Sequence, residues 1–360
     1  MRQIVLFLFA TLPLIAHAAD NLPVAPPPRV AAKKVTAVVV SSLKTGKNQI
    51  RQFAFDDDPN TYFESEKNAT KSDHFTLQFD ASVAVASIQV LTGKPNGSEM
   101  LEQGVVEVSA DNKEFETATR FENGIATANL TNKSVKSIRI RSTEDLNHPL
   151  VLREIVIDSK PKVAIFKYPV EYVVDVSDAP EMKEWTEKCS QICERNYSMI
   201  CDELMSPGFK PLTVIHLTMK NDYNGVAEAG GGRIKGSVKF FKSHPDDFGA
   251  FIHETAHCVQ LYRARGNPGW LVEGVADYVR FFKYEPGKIG RLNVEKAKYD
   301  GSYRVTAAFL NFAAETYDPK LVSKLNAIMR EGKYQEKVWK DLTGKTAEEL
   351  NQEWRRSLVR

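Results

Sequence analysis

The sequence has little of several features that would assign it to a common functional class. Among its 360 residues, 48 Lys and Arg nearly balance 46 Asp and Glu, which gives a formal net charge of +2. This balance argues against a nucleic-acid-binding protein, which usually carries a basic stripe, and against an acidic disordered chain. The chain has no internal repeat, no G-x-S-x-G nucleophile elbow and no complete phosphate-binding loop. Nucleotide binding and serine hydrolysis of that type are therefore not indicated.

Cysteine is also scarce. There are four, Cys189, Cys193, Cys201 and Cys258, and none follows the Cys-x2-Cys spacing of a zinc knuckle. Cys189 and Cys193 are one helical turn apart. We therefore expect core thiols or one structural disulfide, and no cysteine metal site.

Long apolar runs are absent except at the N-terminus. A short basic start precedes the apolar residues 4–16, and residues 16–18 read Ala-His-Ala, which fits a small-residue cleavage site. The run is shorter than the ~20 residues of a membrane-spanning helix, and Pro13 interrupts it. We expect residues 1–18 to be a signal peptide. The mature chain would then be exported, to the periplasm, the cell surface or the medium, without a transmembrane anchor.

The remaining chain divides into three parts. Residues 19–34 are a Pro-rich linker. Residues 35–159 contain at least seven short β-branched or alternating runs separated by turn clusters, a pattern that predicts an antiparallel β-sandwich. From residue 160 to 360, strands come early and helices late, which predicts an α+β domain. The expected fold class is thus multidomain, with a sandwich followed by an α+β domain.

The strongest chemical signal is a metal-binding motif in the second domain. Residues 253–257 read H-E-T-A-H and match H-E-x-x-H. Two histidines four residues apart lie on one face of a helix, so His253 and His257 can bind one cation. Glu254 lies beside them, where its carboxylate can take a proton from a metal-bound water.

A catalytic zinc ion needs a third protein ligand and an open fourth position. A Gly- and Pro-containing break follows the motif, and a second helix is predicted around residues 270–278. Glu273 is the predicted third ligand. Asp277, one turn later on the same face, either accepts the free N–H of a ligand histidine or is itself the direct ligand.

These two segments resemble a known family. H-E-T-A-H followed by W-L-V-E-G-V-A-D-Y at residues 270–278 is similar to the gluzincin metallopeptidases, and more closely to the basic secretory protein peptidases of plants and bacteria. The likeness covers roughly residues 165–355. It implies a zincin fold, in which the active-site helix lies under a small sheet, and proteolysis in a secreted setting.

The expected mechanism assigns roles to several side chains. Zinc lowers the pKa of its water towards about 7 and polarises the scissile carbonyl, while Glu254 moves the proton to the leaving amine. Tyr303 is a candidate donor to the oxyanion. The strand beginning at Ile234, with Gly236 and Ser237, is predicted to pair with an extended peptide substrate.

Two alternatives stay open. Glu228 stands at roughly the interval where gluzincin aminopeptidases place a glutamate that binds the substrate α-amine, although the flanking residues differ. We therefore expect an endopeptidase acting on proteins or glycoproteins, with an aminopeptidase as the first alternative. The second alternative is a glycan-binding adhesin whose zincin scaffold is inactive.

An acidic turn in the predicted sandwich is a second candidate cation site. Residues 56–58 are three aspartates, closely followed by Thr61, and oxygen-rich loops of this kind suit calcium; a solvated acidic turn is the alternative. The turn, together with residues 152–155, resembles discoidin or coagulation-factor type C domains, which are galactose-binding-like sandwiches. That resemblance covers residues 35–158 and implies glycan binding through loops at one end. It also implies a structural calcium held by Asp56, Asp58, Thr61 and Glu154.

Overall fold

The computed structural model describes residues 34–262, 266–301 and 303–359. The signal peptide predicted at 1–18 lies outside these residues, as does the predicted linker except for its last residue. No helix within the described residues is long and apolar enough to cross a membrane.

The first half of the described chain is an antiparallel β-sandwich, as predicted. Its strands pair in the order β2-β7-β3-β6-β4-β5, and β1 pairs with β3. β3 pairs with β1 through residues 75–79 and with β7 through residues 84–92, so this long strand passes from one layer to the other. The strands are β1 Ala37–Ser41, β2 Phe63–Asn68, β3 Phe75–Thr92, β4 Gly104–Ser109, β5 Glu116–Arg120, β6 Ile125–Ser142 and β7 Pro149–Lys160.

Alternation along the strands builds the sandwich core. Phe75, Leu77 and Phe79 of β3 point inward together with Ile138 and Ile140 of β6, and all five are buried. Their neighbours in sequence lie on the opposite face of the sheet, because successive side chains of a strand alternate between the two faces. A short 3-10 helix, Arg51–Phe55, lies between β1 and β2.

The second half is a mixed α/β region, which agrees with the predicted α+β class. Its four-stranded sheet has the order β10-β11-β9-β8, in which only the β10–β11 pair is antiparallel. The strands are β8 Glu171–Asp175, β9 Val214–Lys220, β10 Ala227–Gly230 and β11 Arg233–Ser237. The helices are α1 Lys183–Glu203, α2 Val238–Ser243, α3 Gly249–Gln260, α4 Gly269–Tyr278, α5 Tyr303–Thr316, α6 Leu321–Arg330, α7 Val338–Thr343 and α8 Ala347–Leu358, with a 3-10 turn Pro180–Met182 and a π-helical segment Val279–Tyr284.

Buried polar contacts join the two halves. Arg51 lies beside two carboxylates of the second half, with Nε 3.3 Å from Glu171 and a terminal nitrogen 3.7 Å from Glu194. The side chain of Gln52 accepts a hydrogen bond from the backbone N–H of Val170. We call Arg51, Glu171 and Glu194 the inter-region ion cluster. β7 ends at Lys160 and β8 begins at Glu171, and the predicted domain limits between them stay a prediction.

Candidate metal centre and cleft

Helix α3 carries the H-E-x-x-H motif through the interior of the second half. Every residue of α3 except His257 is buried, because its apolar side chains, among them Phe251, Ile252 and Val259, belong to the main core. A helix held on several sides has little freedom to rotate. The directions of its two histidine side chains are therefore set by the packing of the helix.

Helix α4 begins at Gly269, with Pro268 as its N-terminal cap, and approaches α3. Gly274 permits close packing of α4 on α5, because a Cβ at this position would lie only 2.1 Å from the side chain of Thr306. This close approach places Glu273, the residue before Gly274, opposite the two histidines of α3.

Three ligand atoms converge between α3 and α4. The two Nε2 atoms of His253 and His257 are 3.0 Å apart, and Oε2 of Glu273 lies 3.1 Å from the first and 3.2 Å from the second. For comparison, a tetrahedral zinc site with bonds of 2.0–2.1 Å has ligand atoms about 3.3 Å apart. The triangle formed by these atoms thus has the size that a small tetrahedral cation requires.

The other ring nitrogen of each histidine has its own partner. Nδ1 of His253 lies 2.7 Å from Oδ1 of Asp277, and Nδ1 of His257 lies 2.7 Å from Oε1 of Gln260. Asp277 therefore contacts the side of the His253 ring that faces away from His257 and Glu273. Of the two roles that the sequence left open for Asp277, orienting partner and direct ligand, this position is that of the orienting partner. Gln260 was not anticipated, although its position three residues after His257 on one helix face could have indicated it.

The charges of the cluster depend on one another. Burial by itself would lower the pKa of His253, but hydrogen bonds to Asp277 and Glu273 outweigh it and raise the pKa to about 9. Burial would raise the pKa of Glu273, but the two histidines lower it to about 2. Burial raises the pKa of Glu254, and the nearby histidines only partly oppose this effect.

A cleft of about 690 Å³ lies over the three converging side chains, and Glu254 and Tyr303 both line it. The Glu254 carboxylate has no hydrogen-bond partner among the described residues. Tyr303 begins α5, is 52% exposed, and its ring centroid lies 5.9 Å from that of His253. Glu254 is thus buried at the cleft, whereas Tyr303 is exposed at the entrance of the cleft.

The sheet order contradicts the prediction that the strand beginning at Ile234 pairs with a peptide substrate. Ile234, Gly236 and Ser237 lie on β11, which pairs with β10 on one side and with β9 on the other. This strand has no free edge for a substrate. Within the described residues the free edge on this side of the sheet belongs to β10, whose residues 227–230 line the cleft.

Glu228, the residue that suggested an aminopeptidase, lies on β10 and is exposed. Its carboxylate lies 2.6 Å from Nζ of Lys235, directly across on β11, and accepts a hydrogen bond of 3.1 Å from the hydroxyl of Tyr223. Its charge is thus already paired within the protein.

The acidic turn of the sandwich has a different arrangement. The Thr61 hydroxyl lies 3.0 Å from both carboxylate oxygens of Asp56, and Glu154 is buried with no hydrogen-bond partner for its Oε2 among the described residues. Burial raises the pKa of Asp56 to about 6 and that of Glu154 to about 7. Asp58 is exposed, and its Oδ1 accepts both the backbone and the side-chain N–H of Asn60. The turn thus places Asp56 beside Thr61, whereas the Asp58 carboxylate is engaged by its own loop.

The fold and the cluster define a protein in which three side chains that could hold a metal ion converge on the floor of a cleft. Residues 176–354 match the model of a family described as "Peptidase of plants and bacteria". This match spans almost all of the second half, which is therefore similar to that family.

Solved structures similar to this chain cover about a third of it. They include CBM32-1 from a family 31 glycoside hydrolase of Clostridium perfringens, with 18% identity over 33% of this chain and 91% of that chain and a TM-score of 0.30. A fucose binding module of Streptococcus pneumoniae, SpX-3, shows 13% identity over 34% and 92%, with a TM-score of 0.29. Chitosan-binding module 1 of a chitosanase/glucanase from Paenibacillus sp. IK-5 shows 16% identity over 34% and 93%, with a TM-score of 0.29. No curated protein matches the chain.

Proposed function

We propose that this protein is an exported zinc-dependent metalloendopeptidase that hydrolyses proteins or glycoproteins. The observation that carries the proposal is the convergence of His253, His257 and Glu273, with ligand atoms 3.0–3.2 Å apart, on the floor of a cleft that Glu254 also lines. The match of the second half to a peptidase family supports it. The signal-peptide pattern of residues 1–18 supports export.

The donor set suits zinc. Two imidazole nitrogens and one carboxylate oxygen form a common three-ligand zinc set, which leaves a fourth position for water or substrate. When bound there, zinc would polarise the scissile carbonyl and make a water molecule more acidic. Asp277 and Gln260 hold the two rings so that both Nε2 atoms face one point.

The other residues of the cleft have distinct roles in peptide hydrolysis. Glu254 accepts the proton of the attacking water and returns it to the leaving amine, a function that its raised pKa favours. The hydroxyl of Tyr303 donates to the oxyanion that forms on the carbonyl. An extended substrate pairs with the free edge of β10.

Endopeptidase activity is favoured over aminopeptidase activity by Glu228. A residue that binds a substrate α-amine must offer an unpaired charge, whereas the Glu228 carboxylate is paired with Lys235 and Tyr223. An N-terminal amine would have to displace Lys235 before it could bind.

The sandwich targets the enzyme to a glycan or a protein surface and holds a structural calcium. Calcium binding is assigned to Asp56, Thr61 and Glu154, because the buried, unpartnered oxygen of Glu154 is the kind of group that a cation satisfies. Asp58, also predicted as a ligand, is the least suited of the four since Asn60 already engages it.

Metal analysis combined with a cleavage assay tests the proposal. The purified chain should contain about one zinc per molecule and should cleave casein and a mucin-type glycoprotein. A chelator should abolish cleavage, and added zinc should restore it. A peptide with an acetylated N-terminus should be cleaved as well as its free-amine counterpart. Loss of cleavage on acetylation would favour the aminopeptidase, and zinc binding without any cleavage would favour the inactive adhesin.

A further inference from the structure

Gln260 contacts both helices that supply the cluster. It is the last residue of α3 and is 2% exposed. Its side-chain oxygen lies 2.7 Å from Nδ1 of His257, and its side-chain nitrogen donates to the backbone carbonyl of Val272, at 2.9 Å. Val272 immediately precedes Glu273 on α4. One amide therefore links a histidine of the cluster to the backbone beside the carboxylate of the cluster.

The second of these contacts fixes which way the amide points. A backbone carbonyl can only accept a hydrogen bond, so the side-chain NH2 group of Gln260 must face Val272. The side-chain oxygen must then face His257, and an oxygen can only accept. Nδ1 of His257 therefore carries a hydrogen, and in the neutral ring the lone pair is on Nε2.

The partner of the other histidine is a carboxylate. Asp277 accepts from Nδ1 of His253 whichever way its side chain is turned, because both of its oxygens are acceptors. Gln260 has one acceptor and one donor, so its effect on His257 depends on the carbonyl of Val272. Both rings are thus oriented through α4: His253 directly by the side chain of Asp277, and His257 through Gln260 and the carbonyl of Val272.

We propose that Gln260 is a positioning residue that holds His257 in the Nδ1–H tautomer and ties this ligand to the helix that carries Glu273. The inference rests on the proposed zinc site, since it assigns a role toward the metal to a residue that does not touch it. Partners of this kind commonly change metal affinity 10–100-fold when they are removed.

Two substitutions separate the two contacts. Gln260→Met has a similar length and removes both the acceptor and the donor. Gln260→Glu keeps an acceptor for His257 and loses the donor to Val272. Gln52→Met is the matched control, because the side chain of Gln52 is also buried and also has a hydrogen bond with the backbone, here as the acceptor, but it lies in the sandwich half.

The tautomer is measured in the full exported chain, without metal, from the ring signals of nitrogen-15-labelled histidine. The wild type, Gln260→Glu and Gln52→Met should show His257 as a single Nδ1–H tautomer. Gln260→Met should show the Nε2–H form or a mixture. Assignment of the His257 signal comes from its loss in His257→Gln.

Zinc affinity is measured by competition with a chromophoric chelator. Gln260→Met should raise the zinc Kd about 10–100-fold, and Gln52→Met should leave the Kd unchanged. Gln260→Glu should recover only part of the loss, because it keeps the acceptor for His257 but not the donor to Val272. The inference is overturned if Gln260→Met keeps both the Nδ1–H tautomer and the wild-type Kd. Its failure can be told from that of the proposed function, because the tautomer is read without metal and the peptidase assay does not enter the comparison.

Discussion

The two candidate cation sites differ in where their supporting contacts come from. In the cluster of His253, His257 and Glu273, residues of α3 meet a residue of α4, and the orienting partners lie on both helices. In the acidic turn, the hydrogen bonds of Asp56 and Asp58 go to residues at most five positions away. A cluster supported by distant elements is held in place by the fold. A turn supported by its own loop depends more on the cation that completes it.

Arg330 shows how far this support extends. Its guanidinium donates to the carbonyls of Val259 and Gln260 at the end of α3 and to the carbonyl of Leu204 after α1, and it lies 3.6 Å from the ring centroid of Phe209. The last turn of a helix leaves carbonyls without intrahelical partners. Arg330 supplies these partners for two helices at once.

The largest effect is expected for Glu254→Gln. The amide cannot accept the proton, so kcat should fall by about 10²–10⁴-fold, while the zinc content of the chain stays near that of the wild type. Steady-state cleavage of an internally quenched peptide and elemental analysis of the same sample provide the two readings. Unchanged cleavage would remove Glu254 from the mechanism.

Removal of Arg330 tests whether distant contacts support the metal cluster. Arg330→Met should lower the free energy of unfolding by about 2–4 kcal/mol, because several carbonyls lose a charged donor. Chemical denaturation gives the stability, and chelator competition should show weaker zinc binding although no ligand has changed. Arg330→Lys is the control. It keeps the positive charge but not the planar guanidinium with its several N–H donors, so it should restore only part of the stability.

Calcium should stabilise the sandwich through the acidic turn. At a calcium concentration 100-fold above Kd the gain is about 2.7 kcal/mol, which would appear as a rise in Tm. Glu154→Gln should strongly reduce the rise, since the amide is uncharged and has an NH2 group, which cannot bind a cation, in place of one carboxylate oxygen. Asp58→Asn should preserve most of it; equal loss in both variants would restore Asp58 as a full ligand.

The smallest effect is expected for Glu107 on the outer face of the sandwich. Burial would raise its pKa, but hydrogen bonds from Arg141 and Arg139 outweigh burial and lower it. A lowered folded-state pKa means that Glu107 contributes its full stability above its ordinary pKa of about 4.5 and loses it as the pH falls through the lower value. Glu107→Gln should cost about 1–3 kcal/mol near pH 7 and little at strongly acidic pH. Urea unfolding at several pH values measures this difference, and a cost independent of pH would contradict it.

The sequence predicted those features whose signal lies within a short stretch. His253, Glu254 and His257 share one helical turn, so helical geometry alone places them on one face. Alternating β-branched runs likewise predicted the sandwich, since each strand buries one of its faces.

Features that depend on pairing between segments were missed or misplaced. β10 has the sequence Ala-Glu-Ala-Gly, which does not predict a strand because small residues show little β preference. β11 contains the apolar, β-branched Ile234, which does favour a strand. Which strand has a free edge depends on the sheet order. Gln260 was missed for a related reason: its role requires the carbonyl of Val272, which reaches it only when α4 packs against α3.

The inter-region ion cluster limits how the two halves can be exchanged between proteins. Arg51 belongs to the sandwich, whereas its partners Glu171 and Glu194 belong to the second half and are 7% and 5% exposed. A sandwich taken from another protein and lacking an arginine here would leave two buried carboxylates without a counter-charge, and such groups are strongly destabilising. Recombination of this module would therefore succeed only when residues on both sides of the junction are replaced together.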